Sequence, residues 1–256
     1  MTNDLFSISG KLVLITGASS GIGYSLAKGL SAAGAVIVAA ARRVEKLDDL
    51  RKEIESSGGK VITVRMDVSD RNSVNAGFDR VNEQVGVIDT IVNNAGIAAP
   101  GSFLKIDEES RNSVMDTNFN GVWNVAQEGA RRMIEAEKSG SIINISSVLA
   151  LGVKPGQSIY CASKGAVAQL TRGMALDLTK YNIRVNALAP GWFETEMSKE
   201  FFDSKEGQEY IARMPAKRLG NLDELNGPVI LLASEAGSFI NGVVLPVDGA
   251  LNVVTI

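Results

Sequence analysis

At 256 residues, 45% of them hydrophobic and 21% charged, the chain has the composition of a folded globular protein and not of a disordered one. Its net charge of -3 argues against nucleic acid or an acidic membrane surface as a partner, and its longest apolar runs, such as "AGAVIVAAA" at 33–41, are about half of what a membrane span needs. The absence of histidine and the single cysteine, Cys161, exclude an intrachain disulfide and the usual nitrogen and sulfur metal sites.

The opening segment "MTNDLFSISGK" has neither the basic stretch nor the apolar core of a secretory signal, so a cytoplasmic protein is expected. From residue 11 onward, short β-branched runs alternate with longer amphipathic segments. The runs at 11–16, 35–40, 60–66, 88–93, 141–146 and 183–188 each read as a buried strand of a parallel sheet. Between them lie helical spacings, first Leu26, Leu30 and Ala33, then Leu47, Leu50 and Ile54, the second ending at the glycines of "SSGG". This alternation predicts an α/β fold, a Rossmann-type doubly wound parallel sheet with helices on both faces. No linker or internal repeat divides the chain, which reads as one domain over 1–256. The alternation breaks at about 190–220, where aromatics, methionines and charge are mixed, and an insertion of that length usually carries function.

Immediately after the first strand stands "TGASSGIG", 16–23. Gly17 permits a tight turn, Gly21 a close approach of backbone to a pyrophosphate, and Gly23 the packing of the next helix, whose amino end offers free N–H groups to anions. A glycine triplet alone also describes an ordinary strand-to-helix turn, but here a strand precedes it and a helix follows. Later come "DV" at 67–68, "NNAG" at 93–96, Asn118, Ser147, the pair Tyr160 and Lys164, and "PG" at 190–191 followed by Thr195. In this order and spacing the chain resembles, over nearly its whole length, the short-chain dehydrogenase/reductase family, in its branch of roughly 250-residue single-domain enzymes.

The resemblance implies a nicotinamide dinucleotide held by Gly17, Ser19, Ser20, Gly21, Ile22 and Gly23, with Asp67 and Val68 flanking the adenine. It further implies that Asn93, Asn94, Ala95 and Gly96 border the channel, and that Pro190, Gly191 and Thr195 border the nicotinamide, Thr195 holding its carboxamide. Thr195 also reads as a helix cap before Glu196. Where NAD-using members carry Asp at the end of the second strand this chain has Ala41, followed by Arg42 and Arg43; a guanidinium suits a 2′-phosphate and a carboxylate would repel it. NADP(H) is therefore the expected cofactor, mainly on Arg42, with NAD(H) as the alternative. Many NADP-using relatives also place a basic residue just before the middle glycine, where this chain has Ser20.

Tyr160 and Lys164, four apart in a helical stretch at 157–180, share one face, and an ammonium beside a phenol is expected to lower its pKa. The resemblance makes Tyr160 the general acid or base, has Ser147 orient the substrate oxygen, and has Lys164 hold the nicotinamide ribose and connect through Asn118 to a water chain. A lysine-tuned phenol would then do what histidine does elsewhere. Cys161 reads as a small buried hydrophobe.

The segments that bound the pocket in the family contribute Ile97, Ala98 and Ala99, then Val148, Leu149 and Leu151, then Trp192, Phe193, Met197, Phe201 and Phe202, with Gln157 the nearest polar side chain. That apolar lining points to NADPH-dependent reduction of a neutral hydrophobic ketone to a secondary alcohol, reversibly. The alternatives are an NAD-dependent alcohol dehydrogenase, a 3-oxoacyl-thioester reductase, and a dinucleotide-sensing protein without turnover. The expected partners are a small carbonyl or alcohol and copies of the same chain, in a homotetramer or homodimer, as the resemblance implies.

Overall fold

The computed structural model describes residues 4–253, apart from the side chains of Glu196 and Met197. Seven strands form one sheet in the order β3-β2-β1-β4-β5-β6-β7. They are β1 (Leu12–Thr16), β2 (Val36–Ala41), β3 (Lys60–Arg65), β4 (Thr90–Asn93), β5 (Gly140–Ile145), β6 (Ile183–Pro190) and β7 (Val244–Val247). Every pairing is parallel. The six strands read from the sequence are present, with ends shifted by at most two residues. The last, β7, is short and holds Pro246 at the sheet edge, where a missing N–H costs least.

The inner strands are buried on both faces, which explains why they run largely apolar and do not alternate, while the edge strands β3 and β7 are partly exposed. Val13 and Ile15 of β1 join Leu26 and Leu30 of α1 (Gly21–Ala32), Leu47 and Leu50 of α2 (Val44–Ser56) and Val229 of α9 (Asn226–Ala233). Leu14, one residue out of phase, points the other way, to Phe78 and Val81 of α3 (Arg71–Val85) and Val125 of α5 (Gly121–Glu135). Each such fully buried side chain contributes about 1.5–3 kcal/mol, and together they make the sheet a rigid base. No helix among the described residues is long and apolar enough to cross a membrane.

The order of the strands reverses between β1 and β4, so the chain departs in opposite directions there and leaves a crevice outside the carboxyl ends. Three further features roof or wall it: a π-helical turn (Asp116–Asn120) joining α4 (Glu108–Met115) to α5, the helix α6 (Ser158–Leu178), and the stretch after β6. That stretch, read as an irregular insertion, folds into α7 (Glu196–Asp203) and α8 (Lys205–Arg213). Its base is closed where Gly220 N–H donates to Trp192 O at 2.9 Å, and Ser204, which ends α7, caps α8 by accepting from Gly207 N–H.

Candidate active site

The turn after β1 is built for an anion. Gly17 and Gly21 have φ of +66° and +56°, and a Cβ on Gly17 would lie 2.8 Å from Ala95 Cα, so only glycine allows this loop against β4. α1 then begins without a side-chain cap, since Ser20 makes no such hydrogen bond, and its first N–H groups are left to a ligand. Asn94 braces the turn, its Nδ2 donating to Thr16 O at 2.9 Å, while Asn94 N–H and Ala95 N–H both donate to Thr16 Oγ1. Two expectations need correction. Asn93 does not border the channel: its side chain is buried and donates to Asn144 Oδ1 at 2.9 Å. Gly23 is outside the cavity lining, so of its two expected roles the structure shows only the packing, here beneath Asn94.

The two arginines are held differently. Arg43 Nη2 donates to Ser19 Oγ at 3.0 Å and to Ser20 Oγ at 2.9 Å, clamping its guanidinium onto the glycine turn. Arg42, 63% exposed, stands 3.9 Å from Asp67 Oδ2. Arg43 thus brings a fixed positive charge to Ser20, the position where the sequence lacks a basic residue. Arg42, Arg43, Ala41, Asp67, Val68, Ser19, Ser20 and Ile22 all border the same cavity. An uncapped helix end, a positive-φ turn and two guanidinium groups fit the phosphates of a dinucleotide.

Across the switch point, Ser147, Tyr160 and Lys164 meet at the floor of this cavity. Ser147 ends β5's connection and accepts from Leu149 N–H at 3.1 Å. Lys164 is 4% exposed; its Nζ donates to Ile145 O at 2.8 Å and lies 5.7 Å from the centre of the Tyr160 ring. Burial lowers the Lys164 pKa to about 8. Burial pushes the Tyr160 phenol above its ordinary value, opposed by a hydrogen bond with Ser147, while Lys164 faces the ring. Asn118 is buried behind the cavity wall in the π-helical turn. Its Oδ1 accepts from Ile97 N–H at 2.8 Å, and its Nδ2 donates to Ile97 O and to Ser163 Oγ, which donates to Tyr160 O. A Cβ on Gly96 would lie 3.3 Å from Asn118 Oδ1 and 3.4 Å from Lys164 Nζ, so this glycine lets the two approach.

The cavity, about 810 Å³, runs without a break from the glycine turn to α7. Its far end takes Ile97, Ala98, Val148, Leu149, Gln157, Trp192, Phe193, Phe201 and Phe202 as expected, and Pro190, Gly191 and Thr195 border it. Thr195 also caps α7 in a reciprocal pair with Ser198, as its helix-cap reading expects. Ala99 and Leu151 are not part of this lining; Leu151 opens onto a separate groove with Cys161. The side chain of Met197 lies outside the described residues. Among the polar lining residues that sequence reasoning missed are Ser198 and Lys154. Lys154 Nζ stands 4.6, 4.7 and 4.9 Å from the ring centres of Trp192, Phe201 and Tyr210. The one available signal was its position, six residues before Tyr160 within a segment already assigned to the pocket wall.

A chain with this sheet, this turn and this cluster has well-characterised counterparts. The family model described as short chain dehydrogenase matches residues 11–206. The chain is 42% identical to gluconate 5-dehydrogenase of Gluconobacter oxydans, over 98% of both chains. It is 38% identical to 5-keto-D-gluconate 5-reductase of Escherichia coli K12, over 97% of this chain and 98% of that one. The crystal structure of a gluconate 5-dehydrogenase from Burkholderia cenocepacia with NADP and tartrate superposes with a TM-score of 0.94 at 41% identity, over 98% and 99% of the two chains. The chain therefore belongs to the short-chain dehydrogenase/reductase family and is an NAD(P)-dependent oxidoreductase.

Proposed function

We propose that the protein interconverts a keto sugar acid and the corresponding sugar acid with NADP(H), Tyr160 moving the proton at the reacting oxygen. The observation that carries this reading is the polar character of the far end of the cavity, where Gln157, Ser198 and the ammonium of Lys154 stand among the rings. A hydrophobic ketone, expected from the apolar residues alone, would leave the Gln157 amide oxygen and the Lys154 ammonium without a polar partner, whereas a polyhydroxy acid offers hydroxyls and a carboxylate. Relatives named for gluconate and 5-keto-D-gluconate, and one crystallised with tartrate, a hydroxy dicarboxylate, support the same choice.

Bound nicotinamide would supply or take the hydride. The chain's own part is then to place the carbonyl oxygen between the hydroxyls of Ser147 and Tyr160 and to deliver the phenolic proton to it as charge develops there. Burial pushes the Tyr160 phenol above its ordinary value, which favours the protonated, proton-donating form that reduction needs. Lys164, tied to Ile145 O, holds an ammonium next to the ring to carry the ribose hydroxyls, and Asn118 with Ser163 fixes the turn of α6 that bears both. NADP(H) in preference to NAD(H) rests on the clamped Arg43 with Arg42 beside it.

A 3-oxoacyl group on an acidic carrier is less well served. Such a carrier needs a basic docking surface, and in the basic segment on and after α5 the cations already have acidic partners: Arg131 and Arg132 with Glu128, Arg132 also with Asp79, and Lys138 with Asp89. The reading is tested by incubating the protein with D-gluconate and NADP⁺ and identifying the product. A keto-gluconate is expected; no oxidation of gluconate by a preparation that does reduce hydrophobic ketones would overturn it.

A further inference from the structure

A lysine in a surface loop ordinarily lays its stem along apolar surface and carries its ammonium out to water. Lys154 lies in such a loop, between the short turn Val148–Ala150 and α6, and an outward course is open to it: Val153 beside it is 87% exposed, and a groove lined by Leu151, Ser158 and Cys161 adjoins it. Its ammonium nevertheless lies inward, within 5 Å of the centres of three rings. Those rings come from three places, Trp192 after β6, Phe201 on α7 and Tyr210 on α8. They hold one another as well, since Trp192 Nε1 donates to Tyr210 Oη at 3.0 Å and the ring pairs meet edge to face. The box is prebuilt, then, and does not depend on the lysine to assemble it.

What the box lacks is an anion. Among the described residues no carboxylate pairs with Lys154, in contrast to Lys28 with Glu53 or Lys199 with Glu194. Ring faces attract a cation but replace its water only in part, and burial accordingly holds the Lys154 pKa below its ordinary value. Lys154 and Tyr160 border the same cavity, so an anion on the first shares a chamber with a carbonyl at the second.

We propose that the boxed ammonium of Lys154 is the carboxylate anchor of the substrate end, and the residue by which the protein tells a keto sugar acid from a neutral ketose. The assignment rests on the reading of the chain as an oxidoreductase of sugar acids and adds the group that recognises the acid. The anchor acts on binding, so its loss falls on KM more than on kcat. The rings exclude water from the pair, which makes the charge-assisted hydrogen bond stronger than one at an open surface.

The test uses Lys154→Met, Lys154→Gln and Lys154→Arg, with 5-keto-D-gluconate and D-fructose as the acid and neutral ketoses. The ratio of kcat/KM for the acid over the neutral ketose is expected to fall about 10- to 100-fold in the Met and Gln variants, through KM, and to return with Arg. An unchanged ratio, with both substrates weakened together, would overturn the proposal and leave Lys154 a structural residue. A second readout needs no turnover: D-gluconate titrated into the NADP⁺-loaded protein should change the emission of Trp192, which touches the ammonium, while sorbitol at equal concentration should not. If the wild type turns over no sugar acid, the proposed function fails, and the anchor is judged on this titration alone. Gluconate binding lost in Lys154→Met and Lys154→Gln sustains it; equal binding in all variants refutes it.

Discussion

The two ends of the cavity are made of different material. At the dinucleotide end the ligand meets backbone: a turn with positive φ at Gly17 and Gly21, an uncapped helix, and strand ends fixed by sheet register. At the substrate end it meets side chains brought together from the loop before α6, the end of β6, α7 and α8. The first kind of site depends on few atoms that any member of the fold must keep. The second can be changed residue by residue without touching the sheet, which is how one fold serves many carbonyls.

Mutations that divide the two ends should therefore divide binding of cofactor from choice of substrate. The largest effect is expected at the boundary. Tyr160→Phe removes the phenolic proton donor that meets Ser147 on the cavity floor, and kcat should fall by about 10²- to 10⁴-fold, read in single-turnover NADPH oxidation with NADPH affinity unchanged.

At the dinucleotide end, Arg43→Ala should reduce the preference for NADPH over NADH by about 10- to 100-fold, and Arg42→Ala by less, because only Arg43 is clamped on Ser19 and Ser20. The substitution pair Ala41→Asp with Arg42→Ile should then shift the preference only in part while Arg43 remains. Equal losses from the two single alanine variants would show that the clamp seen here does not decide the matter.

Lys164 tests the cost of the floor itself. Its folded pKa of about 8 lies below the ordinary 10.5, so between these values the unfolded chain binds more protons and stability rises with pH. The penalty of burying the charge is complete below about pH 8 and gone above about 10.5. Lys164→Met should abolish that rise, gain about 1–3 kcal/mol near neutral pH, less what is lost at Ile145 O, and be inactive, as denaturant melts across pH would show. In the wild type, kcat/KM for reduction should decline as pH rises through about 8, where the ammonium loses its proton. The smallest effect is expected of Gln157→Leu, about 3- to 10-fold in KM for a sugar acid, since an amide contact to a hydroxyl is a neutral hydrogen bond.

The same contrast decides what could be read from the sequence. The strands were legible because burial on both faces leaves unbroken apolar runs, and the glycine turn because φ above zero admits little else. Tyr160 and Lys164 were legible because a spacing of four fixes a shared helix face. Directions of side chains were not. Asn93 and Asn94 look alike in "NNAG", and only the register of β4 against β5 sends Asn93 to Asn144 and leaves Asn94 for the turn. Arg42 and Arg43 likewise alternate across the end of β2, so the second, not the first, reaches Ser20. Lys154 was invisible because its box draws on Trp192, Phe201 and Tyr210, which lie 38 to 56 residues downstream and have no spacing of their own.

The account stands or falls on whether the substrate end reads an acid. The direct measurement is a competition: wild-type protein and NADPH with equal concentrations of 5-keto-D-gluconate and cyclohexanone, the two alcohol products quantified at low conversion. The account predicts that the sugar acid dominates the product and that cyclohexanol is a minor fraction. Cyclohexanol as the main product would contradict it and return the cavity to the hydrophobic ketone that its apolar residues alone imply.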